Sequence, residues 1–140
     1  MEAEPVFVLD ASIAVAWAFE DETTPYTEAA LDAVARGRAV VPSVWPLEVG
    51  NAVVVAERRG RMSEADGVRC LSLLRQLPIA VETEPAERVL GDEVRLARAH
   101  GLSVYDASYL NLAMRLGVPL ATRDAGLRRA ATRCGVKVFR

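Results

Sequence analysis

Val6-Phe7-Val8-Leu9-Asp10 decides the reading of this chain: four apolar residues in a row, closed by an acid. A run without polar alternation is what a strand buried on both faces requires. Working outward, Ala39-Val40-Val41, Ile79-Ala80-Val81, Val118-Pro119-Leu120-Ala121 and Val136-Lys137-Val138-Phe139 are further short apolar runs. Helical patterns with readable start signals lie between them. Thr24-Pro25 reads as an N-cap followed by proline at the first helical position. Ser63-Glu64-Ala65-Asp66 spells a capping box. Thr83-Glu84-Pro85 opens a helix that runs through Ala97 to about His100-Gly101, and another runs from near Ser103 to Gly117. Short buried strands alternating with helices predict an α/β fold. The expectation is a three-layer α/β/α sandwich with a mainly parallel central sheet of about five strands, one domain over residues 1–140.

Composition narrows the class. The chain has 140 residues, 51% of them hydrophobic and 26% charged, which is globular and large enough for one continuous core. No apolar run approaches the roughly 18 residues of a spanning helix, so no membrane partner is expected. Met1-Glu2-Ala3-Glu4-Pro5 is acidic and lacks the basic start of a secretory signal. Cys70 and Cys134 have no metal-knuckle spacing and fit reduced thiols. A cytoplasmic location is the expectation. The net charge of −2 hides an asymmetry: residues 1–32 hold eight acids and no Lys or Arg, whereas residues 111–140 hold seven basic residues and only Asp124 as acid. A basic C-terminal third suits a phosphate backbone; the plainer alternative is a set of solvated helix faces.

In an open α/β sheet, ligands bind beyond the carboxyl ends of the strands. Asp10 ends the first run, and Asp124 follows Pro119-Leu120-Ala121 after Thr122-Arg123, so both are expected at that rim. Asp106 lies at the start of a helix and Glu48 early in the helix opened by Ser43. Each of the three aspartates also has a capping explanation: Asp10 for the helix from Ala11, Asp106 as the end of Ser103-Val104-Tyr105-Asp106, Asp124 for the last helix. Glu48 differs, because Val44-Trp45-Pro46-Leu47-Glu48-Val49 is mostly apolar and a buried carboxylate there needs a partner. Clustered carboxylates suit Mg²⁺ or Mn²⁺, hard cations that take oxygen ligands and keep several waters. His100 is the only histidine and reads as a helix-end residue, so zinc sites and His-based triads are excluded, as is a Walker-type loop.

With these positions in view, the chain resembles the PIN-domain nucleases, and among them the VapC toxins of prokaryotic toxin–antitoxin pairs. Val8-Leu9-Asp10-Ala11-Ser12 is similar to the family's opening strand and first acid. Pro46-Leu47-Glu48-Val49-Gly50-Asn51 is similar to its second motif, Tyr105-Asp106-Ala107-Ser108-Tyr109-Leu110 to its third, and Leu120-Ala121-Thr122-Arg123-Asp124 to its fourth. The resemblance covers nearly the whole chain. It implies a metal-dependent endoribonuclease that hydrolyses phosphodiester bonds of single-stranded or looped RNA and leaves a 5′-phosphate and a 3′-hydroxyl. Asp10, Asp106 and Asp124 would be ligands of one or two Mg²⁺ or Mn²⁺ ions, direct or through water. Glu48 would be a ligand or would orient the attacking water. Ser12, Asn51 and Thr122 would support those carboxylates by hydrogen bonds. No acid follows Asp124, where some PIN nucleases carry more.

The resemblance also implies a homodimer silenced by a small VapB-like antitoxin, in a toxin–antitoxin hetero-oligomer. The antitoxin would lay a segment into an apolar groove; Trp17, Phe19, Tyr26 and Trp45 are candidates to line it, with core packing as the alternative for Trp17 and Trp45. Two other functions stay open at this point: a PIN nuclease of RNA processing, and a catalytically weak PIN-like module that acts by binding protein.

Overall fold

The computed structural model describes residues 6–140, and the acidic start Met1–Pro5 lies outside the described residues. Four parallel strands form one sheet in the order β3-β2-β1-β4: β1 Val6–Leu9, β2 Arg38–Pro42, β3 Ile79–Glu82 and β4 Leu120–Ala121. The chain starts in the sheet's interior at β1, winds outward through β2 and β3, and returns to the other side of β1 at β4. Val8 pairs with Leu120 and Leu9 with Ala121. Phe7, Val8 and Leu9 are buried on both faces, as are Val41 and Leu120. Helices therefore cover both sides of the sheet, as parallel crossovers demand.

The fifth apolar run adds a single bridge. Leu120 donates its N–H to the Lys137 carbonyl and accepts from the Phe139 N–H, both at 2.9 Å, which pairs it with Val138. A strand of two residues preceded by Pro119 offers no longer ladder to pair with. About five strands is met in this reduced form.

The helices are α1 Ala11–Ala16, α2 Pro25–Arg36, α3 Val44–Arg58, α4 Glu64–Gln76, α5 Ala86–Arg88, α6 Val94–His100, α7 Val104–Leu116 and α8 Ala125–Arg133. Thr24 caps α2 in a reciprocal box with Thr27, with Pro25 at the first position. Ser63 makes only half of the expected box: its hydroxyl accepts the Asp66 N–H at 3.1 Å, while the Asp66 carboxylate turns to Arg69. The long helix expected after Pro85 is interrupted by a π-helical turn, Val89–Glu93, between α5 and α6. Gly101 and Gly117 end α6 and α7 in the left-handed conformation, φ 63° and 66°, where glycine carries no Cβ penalty. No helix among the described residues is long and apolar enough to cross a membrane.

Candidate active site

The strand order reverses between β1 and β4, and that crevice is where a parallel sheet binds ligands. Asp10 leaves β1 and Asp124 follows β4, so adjacent strands deliver both acids to one rim. The ladder continues past the strands, since the Asp10 N–H donates to Ala121 O at 3.0 Å. That bond fixes Asp10 beside Thr122. The fully buried Thr122 hydroxyl then donates to Asp10 Oδ2 at 2.7 Å and accepts the Asp124 N–H at 3.1 Å. Ser12 adds its own hydroxyl to Asp10 Oδ2 at 3.1 Å and its N–H to Oδ1 at 3.4 Å.

Capping and clustering are not alternatives here. Asp10 is the N-cap of α1, and Asp124 caps α8 by accepting the Leu127 N–H at 2.8 Å on Oδ1. Asp106 is the exception among the three. Ser103 accepts the Asp106 N–H at 3.0 Å, but the return bond from the Asp106 carboxylate to the Ser103 N–H that would complete a capping box is not made.

Glu48 departs from the sequence expectation. It is only half-buried, and it has a protein partner: Tyr109 donates its phenolic O–H to Glu48 Oε1 at 2.7 Å. Pro46 and Leu47 are exposed, so the apolar spelling of early α3 overstated the burial of this turn. Tyr109 is the partner of Glu48 that sequence reasoning did not single out. It lies at i+3 from Asp106, one helical turn on and on the same face, which was the available signal. Burial, together with the bond to Glu48 and its charge, pushes the Tyr109 phenol well up, so it stays a donor. Asn51 is exposed on α3 and makes no side-chain hydrogen bond among the described residues.

The electrostatics tie the four acids together. Burial raises the Glu48 carboxyl, the Tyr109 bond opposes the rise, and the charges of Asp10 and Asp106 add to it. Burial likewise raises Asp106, with further contributions from Asp10 and Asp124 and a small opposing one from Ser103. Negative charges close enough to raise Glu48 and Asp106 mark a space in which a cation would be stabilised. The donor set is all hard oxygen, which fits Mg²⁺ or Mn²⁺. Among the described residues no group of three or more His, Cys, Asp or Glu side chains is arranged to hold an ion by itself. Mg²⁺ keeps much of its water shell, so water-mediated ligation by this set fits better than a closed protein cage.

The aromatic candidates separate. Trp17 lines a cleft of about 770 Å³ with Leu31, Met62, Leu73 and Leu77, between α1, α2 and α4. Phe19 and Trp45 are buried, and Tyr26 faces a different hollow beside α8. His100 sits at its helix end as expected, with Nε2 3.3 Å from the Cys134 sulfur; both cysteines are free.

Comparison with known proteins matches the PIN domain family over residues 7–133. Ribonuclease VapC3 of Pyrobaculum aerophilum is 31% identical over 120 residues, covering 86% of this chain and 90% of that protein. Ribonuclease VapC9 of Mycobacterium tuberculosis is 34% identical over 122 residues, covering 87% and 88%. Among solved structures, PAE2754 from Pyrobaculum aerophilum superimposes with a TM-score of 0.69 at 26% identity, covering 90% of this chain and 86% of that one. FitAcB from Neisseria gonorrhoeae shares the fold, with a TM-score of 0.66, 18% identity and 96% of each chain covered. A family match over nearly the whole chain, four acids gathered at the sheet's switch point and relatives of similar length lead to one assignment: the chain belongs to the PIN domain family, among the VapC ribonucleases.

Proposed function

We propose that this protein is a Mg²⁺- or Mn²⁺-dependent endoribonuclease and the toxin of a cytoplasmic toxin–antitoxin pair. The observation that carries the reading is the buried Thr122 hydroxyl, which joins Asp10 to the Asp124 backbone at the ends of β1 and β4, with Glu48 and Asp106 within reach of the Asp10 charge. Asp10, Asp106 and Asp124 would hold the metal, directly or through water, and Glu48 would be a further ligand or would orient the attacking water. The ion supplies a lowered pKa for a nearby water and positive charge for the phosphate as its charge builds.

The chain's own residues do the rest. Thr122 holds Asp10 by hydrogen bond and fixes the Asp124 backbone, so two carboxylates keep their separation when RNA arrives. Ser12 restrains the same carboxylate. Tyr109 holds Glu48 by Oε1, which leaves Oε2 to orient the attacking water and take its proton. Attack on phosphorus in line breaks the bond to the 3′-oxygen, which takes a proton from solvent, giving a 5′-phosphate and a 3′-hydroxyl. The names of the VapC relatives support ribonuclease activity.

The cleft that Trp17 lines supports an antitoxin partner with an apolar segment, and Arg61 and Arg69 at its wall suit acids flanking that segment. A homodimer belongs to the same reading, with exposed Leu90 and Met114 as candidate contacts.

RNA cleavage in Mg²⁺ or Mn²⁺ tests the chemistry, with Asp10→Asn and Asp124→Asn beside the wild type. Loss of cleavage in both variants and in chelator is expected. Full activity in either condition sinks the mechanism.

A further inference from the structure

Asp124 caps helix α8, and residues 125–140 hold no Asp or Glu but carry Arg128, Arg129, Arg133, Lys137 and Arg140. Arg128 and Arg129 lie past the first turn of α8 and before its last, where the helix dipole has little hold, so they are not explained by stabilising α8. Arg128 is anchored to the acidic centre. Its Nε donates to Thr122 O at 2.7 Å, from the residue whose hydroxyl joins Asp10 to Asp124, and its guanidinium lies 4.9 Å over the Tyr26 ring. Arg129 is exposed and reaches back toward Asp124. A Cβ built on Gly126 would stand 3.8 Å from Arg129 Nη2 and 3.3 Å from Asp124 Oδ1, so the bare glycine leaves room for both. Arg133 is exposed one turn further on, about 6 Å along the axis. Neither Arg129 nor Arg133 pairs with a carboxylate among the described residues.

These side chains line a shallow groove of about 320 Å³ with Thr132. The groove shares Arg128 and Thr132 with a hollow of about 570 Å³ walled by Tyr26, Phe139 and Arg140. Four carboxylates at the centre repel any phosphate that approaches. A strip of unpaired guanidiniums beginning beside Asp124 reverses that field along one line of approach, and planar guanidiniums match phosphate oxygens.

We infer that the outer face of α8 is the RNA-backbone subsite of this centre, where Arg129 and Arg133, with Arg128 behind them, bind phosphates flanking the cleaved bond. The inference rests on the nuclease reading and adds the residues that take the substrate.

The test is the Arg129→Gln/Arg133→Gln protein against the wild type and a charge-matched control, Arg75→Gln/Arg98→Gln, altered at exposed arginines on α4 and α6. Affinity for a labelled single-stranded RNA is measured in chelator across a salt series, and kcat and KM for its cleavage in Mn²⁺. The α8 variant should bind about tenfold more weakly at low salt. Two lost phosphate contacts should also flatten the log–log salt slope by about 1.4. KM should rise more than kcat falls, with the control unchanged. Unchanged affinity and slope in the α8 variant overturn the subsite, as does an equal loss in the control. Loss of affinity for poly-glutamate but not for RNA would assign the face to an acidic protein, and also overturns it. Wild type that binds RNA through α8 without cleaving it would defeat the nuclease reading and leave the subsite standing. Wild type that binds no RNA defeats both.

Discussion

Thr122 and Asp10 are 112 residues apart in sequence, and their side chains meet at 2.7 Å through one hydrogen bond. The same hydroxyl receives the Asp124 N–H, so one buried oxygen sets the spacing of two carboxylates on neighbouring strands. Thr122→Val keeps the shape and removes both bonds, leaving the buried Asp10 carboxylate without its Thr122 donor and the Asp124 N–H without its acceptor. Unfolding measurements should show a loss of about 1–3 kcal/mol. RNA cleavage should fall by about 10- to 100-fold, and Thr122→Ser should restore most of it. A valine variant with full activity would show that Asp10 needs no such restraint.

Tyr109→Phe isolates the other restraint. The buried ring still fills its place in the core, so stability should change by no more than about 1 kcal/mol. Glu48 loses the donor on Oε1, and cleavage should drop by about tenfold. A larger fall in stability than in activity would mark Tyr109 as a core residue alone.

Proton and metal should compete at the acidic centre. Glu48 and Asp106 are both raised from the ordinary carboxylate value, chiefly by partial burial. Their neutral forms bind cations poorly, so apparent Mn²⁺ affinity should weaken as pH falls through those raised values and strengthen as it rises. Titration calorimetry at several pH values reads this directly. Added Mn²⁺ should also raise the thermal midpoint of the wild type, by mass action on the folded state, and leave Asp10→Asn/Asp106→Asn nearly unmoved.

A second acidic pair lies away from the rim. Glu93, at the end of the π-helical turn, is fully buried, and its carboxyl is pushed up to about 8 by burial and then by Glu84 beside it. Both Glu93 oxygens are buried without a hydrogen-bond partner among the described residues, which favours the neutral carboxyl. Glu84 is held in turn by Arg115 at 3.5 Å, and the Arg88 and Arg115 charges oppose the rise. A carboxyl raised in the folded state contributes stability in full below its unfolded value. That contribution is lost as pH climbs from about 4.5 through about 8. Thermal midpoints should therefore fall across this window in the wild type, and Glu93→Gln should flatten the decline. An equally steep decline in the glutamine variant would exclude the pair as its source.

The local grammar of the chain was legible from its residues alone. Val6–Leu9 has to be buried on both faces, Thr24-Pro25 has to start a helix, and Gly101 and Gly117 have to end theirs, because these follow from side-chain type and backbone freedom over a few positions. The acids at Asp10 and Asp124 were placed at strand ends by the same logic. What the sequence could not decide was adjacency. Whether Asp10 and Asp124 share a rim depends on β4 returning to the far side of β1, a consequence of how the sheet closes its core. The Tyr109 bond to Glu48 spans 61 residues and the Thr122 bond to Asp10 spans 112, and neither leaves a periodic trace in the chain. The burial of Glu93 depends on a π-helical turn that no run of apolar residues announces. Short-range propensity fixes where elements begin and end; packing of distant elements, which no local window contains, decided which acids meet and what holds them.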